Sequence, residues 1–197
     1  MSEGIGARVL RKEDKRFITG KGRYTDDIIE ANQAYAAFVR SPHAHARIVS
    51  LDTSAALAME GVETVLTGPE LVADGIGNII CGWGITSKDG TPMNMGAWSA
   101  LATEKVRYVG DAVAIVVADS KSQAKLAAEA VVVTYEELPV VVGSVEALAP
   151  GAPQLHDNAP GNLIFDWEIG DLAPTDAALA SAAHVTEMEI TNNRLAP

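Results

Sequence analysis

The chain has 197 residues, enough for one domain or for one domain with part of a second. Only 5% of them are aromatic although nearly half are apolar, so alanine and valine must fill most of any core. A formal net charge of −11 argues against a nucleic-acid binder, and the lone Cys81 excludes an internal disulfide or a Cys-only zinc or iron–sulfur site.

The first residues, Met1 to Phe17, lack the apolar centre of a Sec signal peptide. They carry a basic run, Arg8, Arg11, Lys12, Lys15 and Arg16, which reads as a solvated arm or as one that docks on an acidic partner. Residues 1–33 are polar and punctuated by glycine, and are expected to form an extended N-terminal arm. Residues 34–40 alternate and predict a strand; Ser41-Pro42 breaks it, and residues 46–51 predict a second. The two are expected to pair as a hairpin, with His43 and His45 near its bend.

Asp52 or Thr53 can cap a short helix reaching Met59, and Gly61 stops it. Residues 62–66 then predict a strand, and Gly68-Pro69-Glu70 opens a helical turn with proline in its first turn. Residues 74–98 form a long irregular stretch holding Trp83 and Trp98, the kind of loop used for function or for an interface. Ala112–Ala118 is apolar on both faces and predicts a strand buried on both sides. Ser120 and Gln123 make a capping box for a helix that stacks Ala124, Ala127, Ala128 and Val131 on one side. Residues 131–135 are the next strand. A strand–helix–strand unit therefore occurs twice, around 46–66 and 112–135, without repetition of residue identities.

Residues 149–162 are rich in Pro, Gly and Asn and read as a linker. Beyond it, residues 163–169 predict a strand, 175–183 a short helix, and 184–191 a last strand. The expected organisation is an arm at 1–33, an α+β domain at 34–148, the linker, and at 163–197 the opening of another domain. The longest apolar runs, 112–118 and 130–133, are too short to cross a bilayer, and a cytoplasmic protein without a membrane span is expected.

Chemistry-bearing patterns are sparse. The glycine pairs at 4/6, 20/22, 75/77 and 82/84 all lack the third glycine of a dinucleotide loop, and neither a Walker A loop nor a nucleophile elbow is present. On a strand, His43 and His45 would share a face and could hold a metal, but His156 and His184 lie in distant segments. The reading of both as turn and core histidines is preferred. Cys81 has no neighbouring base to activate it and reads as a packed thiol. Asp26-Asp27 and Glu136-Glu137 are adjacent pairs whose members point opposite ways on an extended chain, unlike an acid/base pair. No catalytic, cofactor-binding or metal-ligating residue is assigned.

Four stretches taken in order, Arg16–Asp27, Ser41–Val49, Val109–Ala118 with Ala127–Val131 and Tyr135–Pro139, and Asn193–Pro197, resemble one family. They are similar to the N-terminal part of the large subunit of molybdenum hydroxylases, the xanthine dehydrogenase and aldehyde oxidase relatives. Arg16–Asp27 looks most like the aerobic carbon monoxide dehydrogenase branch. The resemblance implies an α+β "a/b hammerhead" domain with short mixed sheets and flanking helices, followed by the start of a truncated molybdopterin-binding domain. It implies a holoenzyme with a molybdopterin dinucleotide in the large subunit, FAD on a medium subunit and [2Fe–2S] centres on a small one. The partners implied are those two subunits and the remainder of the large subunit. The family's cofactor-binding and catalytic residues lie beyond the positions that match this chain, so the chain alone is expected to be an inactive scaffold portion of an oxidoreductase. The alternative is a stand-alone, non-enzymatic interaction module.

Overall fold

A computed structural model describes residues 4–96 and 98–190. They fall into two compact units, Met1–Ile79 with Trp98–Val140, and Ile80–Ala97 with Val141–Pro197.

The first unit is α+β. It begins with a short helix, α1 (Asp14–Ile18), and a 3-10 turn at Thr25–Asp27. Phe17 stacks on Tyr24, and Lys121 bonds Asp26 at 2.8 Å. Strand β1 (Tyr35–Arg40) alternates between half-buried and exposed residues, as an antiparallel strand with one covered face does. Strand β2 (Ala46–Asp52) leads into α2 (Ser54–Leu57), whose first amide donates to the Asp52 carboxylate. Gly61, at φ +78°, turns the chain into β3 (Val62–Thr67). Helix α3 (Gly68–Ala73) follows directly, with a complete Thr67/Glu70 capping box and Pro69 in its first turn. Strand β4 is Lys105–Val106, and β5 (Ala112–Ala118) is the central, most buried strand.

Helix α4 (Lys121–Ala130) starts where Ser120 Oγ accepts from the Gln123 amide. The Gln123 side chain does not return to the cap amide. It bonds the Ser120 hydroxyl and donates to the Glu60 carbonyl, so the capping box is completed only on the serine side. Strand β6 (Val132–Glu137) closes the unit.

The strands form two three-stranded sheets, ordered β1-β5-β3 and β4-β2-β6, and all their pairings are antiparallel. The expected β1–β2 hairpin does not form. Each strand has a longer partner: β1 runs along β5 from Tyr35↔Ala118 to Arg40↔Ala112, and β2 runs along β6. The connection is pinned instead at Ser41, which donates its amide to the Asp111 carbonyl and accepts from the Gly110 amide, both at 2.8 Å. Pro42 has no N–H with which to prolong the ladder, so the chain crosses from one sheet to the other.

Both strand–helix–strand units are present, and each bridges the two sheets. β2-α2-β3 and β5-α4-β6 interlock because β3 pairs with β5 while β2 pairs with β6. Two small cores result. Ala56, Val65, Ala114, Val116, Ala127 and Val131 make one; Ala46, Ala102, Val106 and Val113 make the other. Val39, Leu51 and Val133 pack against both and join them. Alanine at 124 and 127 lets α4 lie close to the sheet. Gly68 is required by a similar approach, since a Cβ there would stand 2.3 Å from the Ala102 carbonyl oxygen.

The second unit has no strand among its described residues. It holds α5 (Ser144–Ala147), a 3-10 turn at Pro160–Asn162 and α6 (Leu172–Ser181). Asn162 organises it: its Nδ2 donates to the Ala147 and Pro153 carbonyls and its Oδ1 accepts from the Leu155 amide. Residues 163–169, expected as a strand, are extended but unladdered. Their backbone bonds to the Ser87–Asn94 turn are Asn94 N→Ile164 O and Lys88 N→Asp166 O, both 2.8 Å, with Asp166 N→Ser87 Oγ, Asn94 Nδ2→Leu163 O and the Lys88–Asp166 ion pair beside them. A partner that itself turns at Asp89-Gly90 offers too few facing groups for a ladder. The helix expected at 175–183 begins earlier, at Leu172, because Asp171 supplies the carbonyl for the Thr175 amide and Pro174 fits a first turn. Residues 184–190, expected as a strand, have no regular structure and pair with none of the described strands. Residue 191, the end of that expected strand, and the Asn193–Pro197 stretch lie outside the described residues.

Candidate functional site at the Ser41–His45 bend

Three of the stretches singled out in the sequence, 41–49, 109–118 and 135–139, converge at the bend between β1 and β2. Ser41 is 2% exposed and His45 6%, the two buried polar residues of the chain's described part. Ser41 Oγ accepts from the His43 amide at 3.0 Å, which sets the bend after Pro42. Arg40 donates to the Gly110 carbonyl at 2.9 Å, and the Arg107 amide donates to Asp111 Oδ2. The turn at 107–111 is thereby tied to the bend.

His45 ties in the third stretch. Its carbonyl accepts from the Leu138 amide, and its Nδ1 lies 2.8 Å from the Pro139 carbonyl. A carbonyl only accepts, so Nδ1 carries the proton and Nε2 is left as an acceptor. That Nε2 is buried and has no partner. His43 is half-buried, with Nδ1 3.5 Å from Glu137 Oε1 and its ring 4.8 Å from the Tyr135 ring. Burial pushes the Tyr135 hydroxyl above the usual tyrosine range, and a hydrogen bond with Ser41 partly offsets it. Tyr108 is raised too, by burial first and by the Asp111 carboxylate second.

The two histidines therefore stand in a bend, not on one strand face, and serve different partners. His156 belongs to the second unit, where its ring packs against Gly96, and His184 is exposed beside Thr186. Cys81 is exposed in a loop, its sulfur 3.3 Å from the Trp83 carbonyl, so the packed thiol expected from the sequence is not found. Asp27 accepts from the Tyr24 amide while Asp26 bonds Lys121. Glu136 pairs with Arg47 and Glu137 with His43, so this acidic pair splits as expected of neighbours on a strand. Among the described residues no three His, Cys, Asp or Glu side chains converge as metal ligands must. Concavities lie elsewhere among the described residues. One of about 690 Å³ is lined by Glu30, Tyr35, Glu63 and Asp119; another of about 360 Å³ lies between Ser87–Asn94 and Leu163–Asp166. Neither presents a histidine or cysteine.

The arrangement can hold strands and set the direction in which the chain leaves at Pro139. Ser41, Asp111 and the Pro139 carbonyl were missed as site members in the sequence. Their signal was indirect, since each lies in a stretch that carried the family resemblance.

Residues 19–139 match the family model described as "Aldehyde oxidase and xanthine dehydrogenase, a/b hammerhead domain". The carbon monoxide dehydrogenase large chain of Hydrogenophaga pseudoflava is 39% identical over 98% of this chain and 24% of its own length. The nicotine 6-hydroxylase large subunit of Paenarthrobacter nicotinovorans is 38% identical over 92% of the chain and 21% of its own length. Among solved structures, a Cu,Mo-CO dehydrogenase in its carbon monoxide reduced state superposes with a TM-score of 0.69 at 38% identity, covering 92% of this chain and 23% of that one. Quinoline 2-oxidoreductase from Pseudomonas putida 86 gives 0.72 at 37% identity, over 89% and 21%. The chain thus spans about a quarter of the length of the curated relatives it matches.

Proposed function

The chain belongs to the aldehyde oxidase and xanthine dehydrogenase family, and from that membership we propose that it serves as a scaffold portion of the large subunit of a molybdenum-dependent oxidoreductase. The observation that carries the reading is the match at 19–139: the same residues build both sheets, both cores and the bonded bend at Ser41–His45. Their polar side chains hold backbone in place. They do not fit a molybdenum seat, because His45 is bonded to the Pro139 carbonyl and His43 rests on Tyr135. No redox step is assigned to them.

In this reading residues 1–33 are an arm, 34–148 the hammerhead domain, 149–162 a linker and 163–197 the opening of the molybdopterin-binding domain. The chemistry, carbon monoxide oxidation or hydroxylation of an aldehyde or heterocycle, belongs to residues outside the chain. The dinucleotide form of molybdopterin would sit there, with FAD on a medium subunit and [2Fe–2S] centres on a small one. None of the described helices is long and apolar enough to cross a membrane, and a cytoplasmic location is proposed with the rest.

The reading is tested by producing the chain in a host that assembles molybdenum hydroxylases and measuring molybdenum, iron and flavin in the purified protein. All three are expected at background. Stoichiometric molybdenum would contradict a scaffold without its own active site.

A further inference from the structure

Aspartate is followed by glycine at Asp74-Gly75 and at Asp89-Gly90. All four residues are exposed, and both glycines take positive φ, +80° and +88°, with no atom near the place of a Cβ. Glycine leaves its amide nitrogen unhindered and lets the backbone swing towards the preceding side chain. Such a pair can react with itself, because the nitrogen and the aspartate carboxyl carbon close a five-membered ring.

The two pairs are held differently. Asp89 Oδ1 accepts from the Thr91 hydroxyl at 2.7 Å and from the Thr91 amide at 2.9 Å. The hydroxyl first and the amide second hold this carboxyl below the ordinary aspartate range. An ionised carboxylate has no hydroxyl to leave as water, so ring closure is suppressed there. Asp74 ends α3, and its carboxylate has no hydrogen bond or ion pair among the described residues. The Gly75 amide donates to the Val72 carbonyl at 3.0 Å and the Ile76 amide to the Leu71 carbonyl at 2.9 Å. These are the two bonds of a Schellman end with glycine in the left-handed position. Residues 76–80 beyond it have no regular structure, so fraying of the last turn frees the Gly75 amide. The Gly90 amide is bonded as well, to the Ser87 carbonyl at 2.9 Å. The nucleophiles are therefore alike, and the carboxyls make the difference.

We propose that Asp74-Gly75 is a self-modification site at which aspartate converts to β-linked isoaspartate, while Asp89-Gly90 is protected by Thr91. The Gly75 nitrogen bonds to the protonated Asp74 carboxyl carbon, and the carboxyl hydroxyl leaves with the amide proton as water. Water then reopens the cyclic imide. Where it breaks the bond from the nitrogen to the Asp74 main-chain carbonyl carbon, the chain runs on through the side chain. Nothing is oxidised or reduced, and the mass is unchanged. The product carries one extra carbon in the main chain, so the Gly75 and Ile76 amides no longer meet the Val72 and Leu71 carbonyls and α3 loses its C-terminal cap. The reaction needs only this chain and water, and it stands apart from the scaffold role.

The test ages the purified full chain in warm, mildly acidic buffer, tags β-linked aspartate with an isoaspartyl methyltransferase and locates the tag by mass spectrometry of peptides. In the folded chain, isoaspartate at 74 is expected to exceed that at 89 about tenfold, the rate equivalent of one hydrogen bond to a charged group. In urea, where Thr91 no longer holds Asp89, the ratio should fall to near one. Thr91→Val keeps the amide bond and removes the hydroxyl, and should raise the tag at 89 several-fold without changing that at 74. Asp74→Glu requires a larger ring and should abolish the tag at that position. Equal tagging of the two pairs in the folded chain overturns the proposal, as does a ratio that urea leaves unchanged. A Thr91→Val chain with no more tag at 89 than the wild type overturns the protection assigned to Thr91.

Discussion

The two units use similar residues and reach opposite results. Among the described residues, every buried hydrophobic residue except Ala159 lies in the first unit. In the second, α6 buries nothing, and Trp167, Ile169, Leu172, Leu179, Val185, Met188 and Ile190 are all exposed. The difference lies in partners, not in composition. Ala112–Ala118 meets a strand on each side and a helix above it, so Val113, Ala114, Val116 and Ala118 are buried and the other three half-buried. The alternating residues at 163–169 meet a loop, and those at 184–190 have no strand to pair with. A hydrophobic pattern yields stability only where a second surface completes the burial.

The sharpest way to break this comparison is to place a charge in each unit. Val116→Asp buries an unpaired carboxylate and is expected to cost about 4 kcal/mol or more, enough to unfold the first unit. Leu179→Asp sits on an exposed helix face and is expected to stay within about 0.5 kcal/mol. Thermal melts of both variants check the contrast, and equal losses would refute it. Gly68→Ala pushes a methyl against the Ala102 carbonyl and should cost about 1–3 kcal/mol, read by urea denaturation. His45→Ala removes a buried side chain and its bond to the Pro139 carbonyl, for about 1–3 kcal/mol. His184→Ala in the second unit should not register in the same melts.

A smaller effect appears with alkali. Burial raises Tyr108 and Tyr135 in the folded state. As pH climbs past about 10, the ordinary tyrosine value, the unfolded chain releases those protons first. The contribution is therefore intact below that value and declines above it, through the raised folded pKa. Tyr135→Phe should flatten the alkaline limb of a stability–pH profile; an unchanged limb would place the loss elsewhere. Smallest of all is the exposed Lys88–Asp166 pair of the second unit, which raises the lysine pKa but is open to solvent. Lys88→Ala should leave the melting curve in place.

Much of the first unit was legible because its signals are local. Ser120 caps α4 within four residues, Pro69 and Glu70 open α3, and the apolar run of β5 announces the most buried strand, although its Ile115 and Val117 are only half-buried. Pairing was not legible, because it is a matter of distance along the chain. β1 passes over its neighbour β2 and takes β5, more than seventy residues on, and no periodicity in 34–51 records that choice. The bend was hidden for the same reason. His43-Ala44-His45 looks like one strand face until Pro139, far away in sequence, claims the His45 ring. In the second unit the alternation at 163–169 and 184–191 was real, but a strand needs a partner as well as a pattern.

Native-state hydrogen exchange on the purified chain tests the central claim, that one unit folds on its own core while the described part of the other buries little apolar surface. The account predicts the slowest amides in β5 and its neighbours β1 and β3, exchanging only through global unfolding, and fast exchange across 163–190. Comparable protection in both units would contradict it.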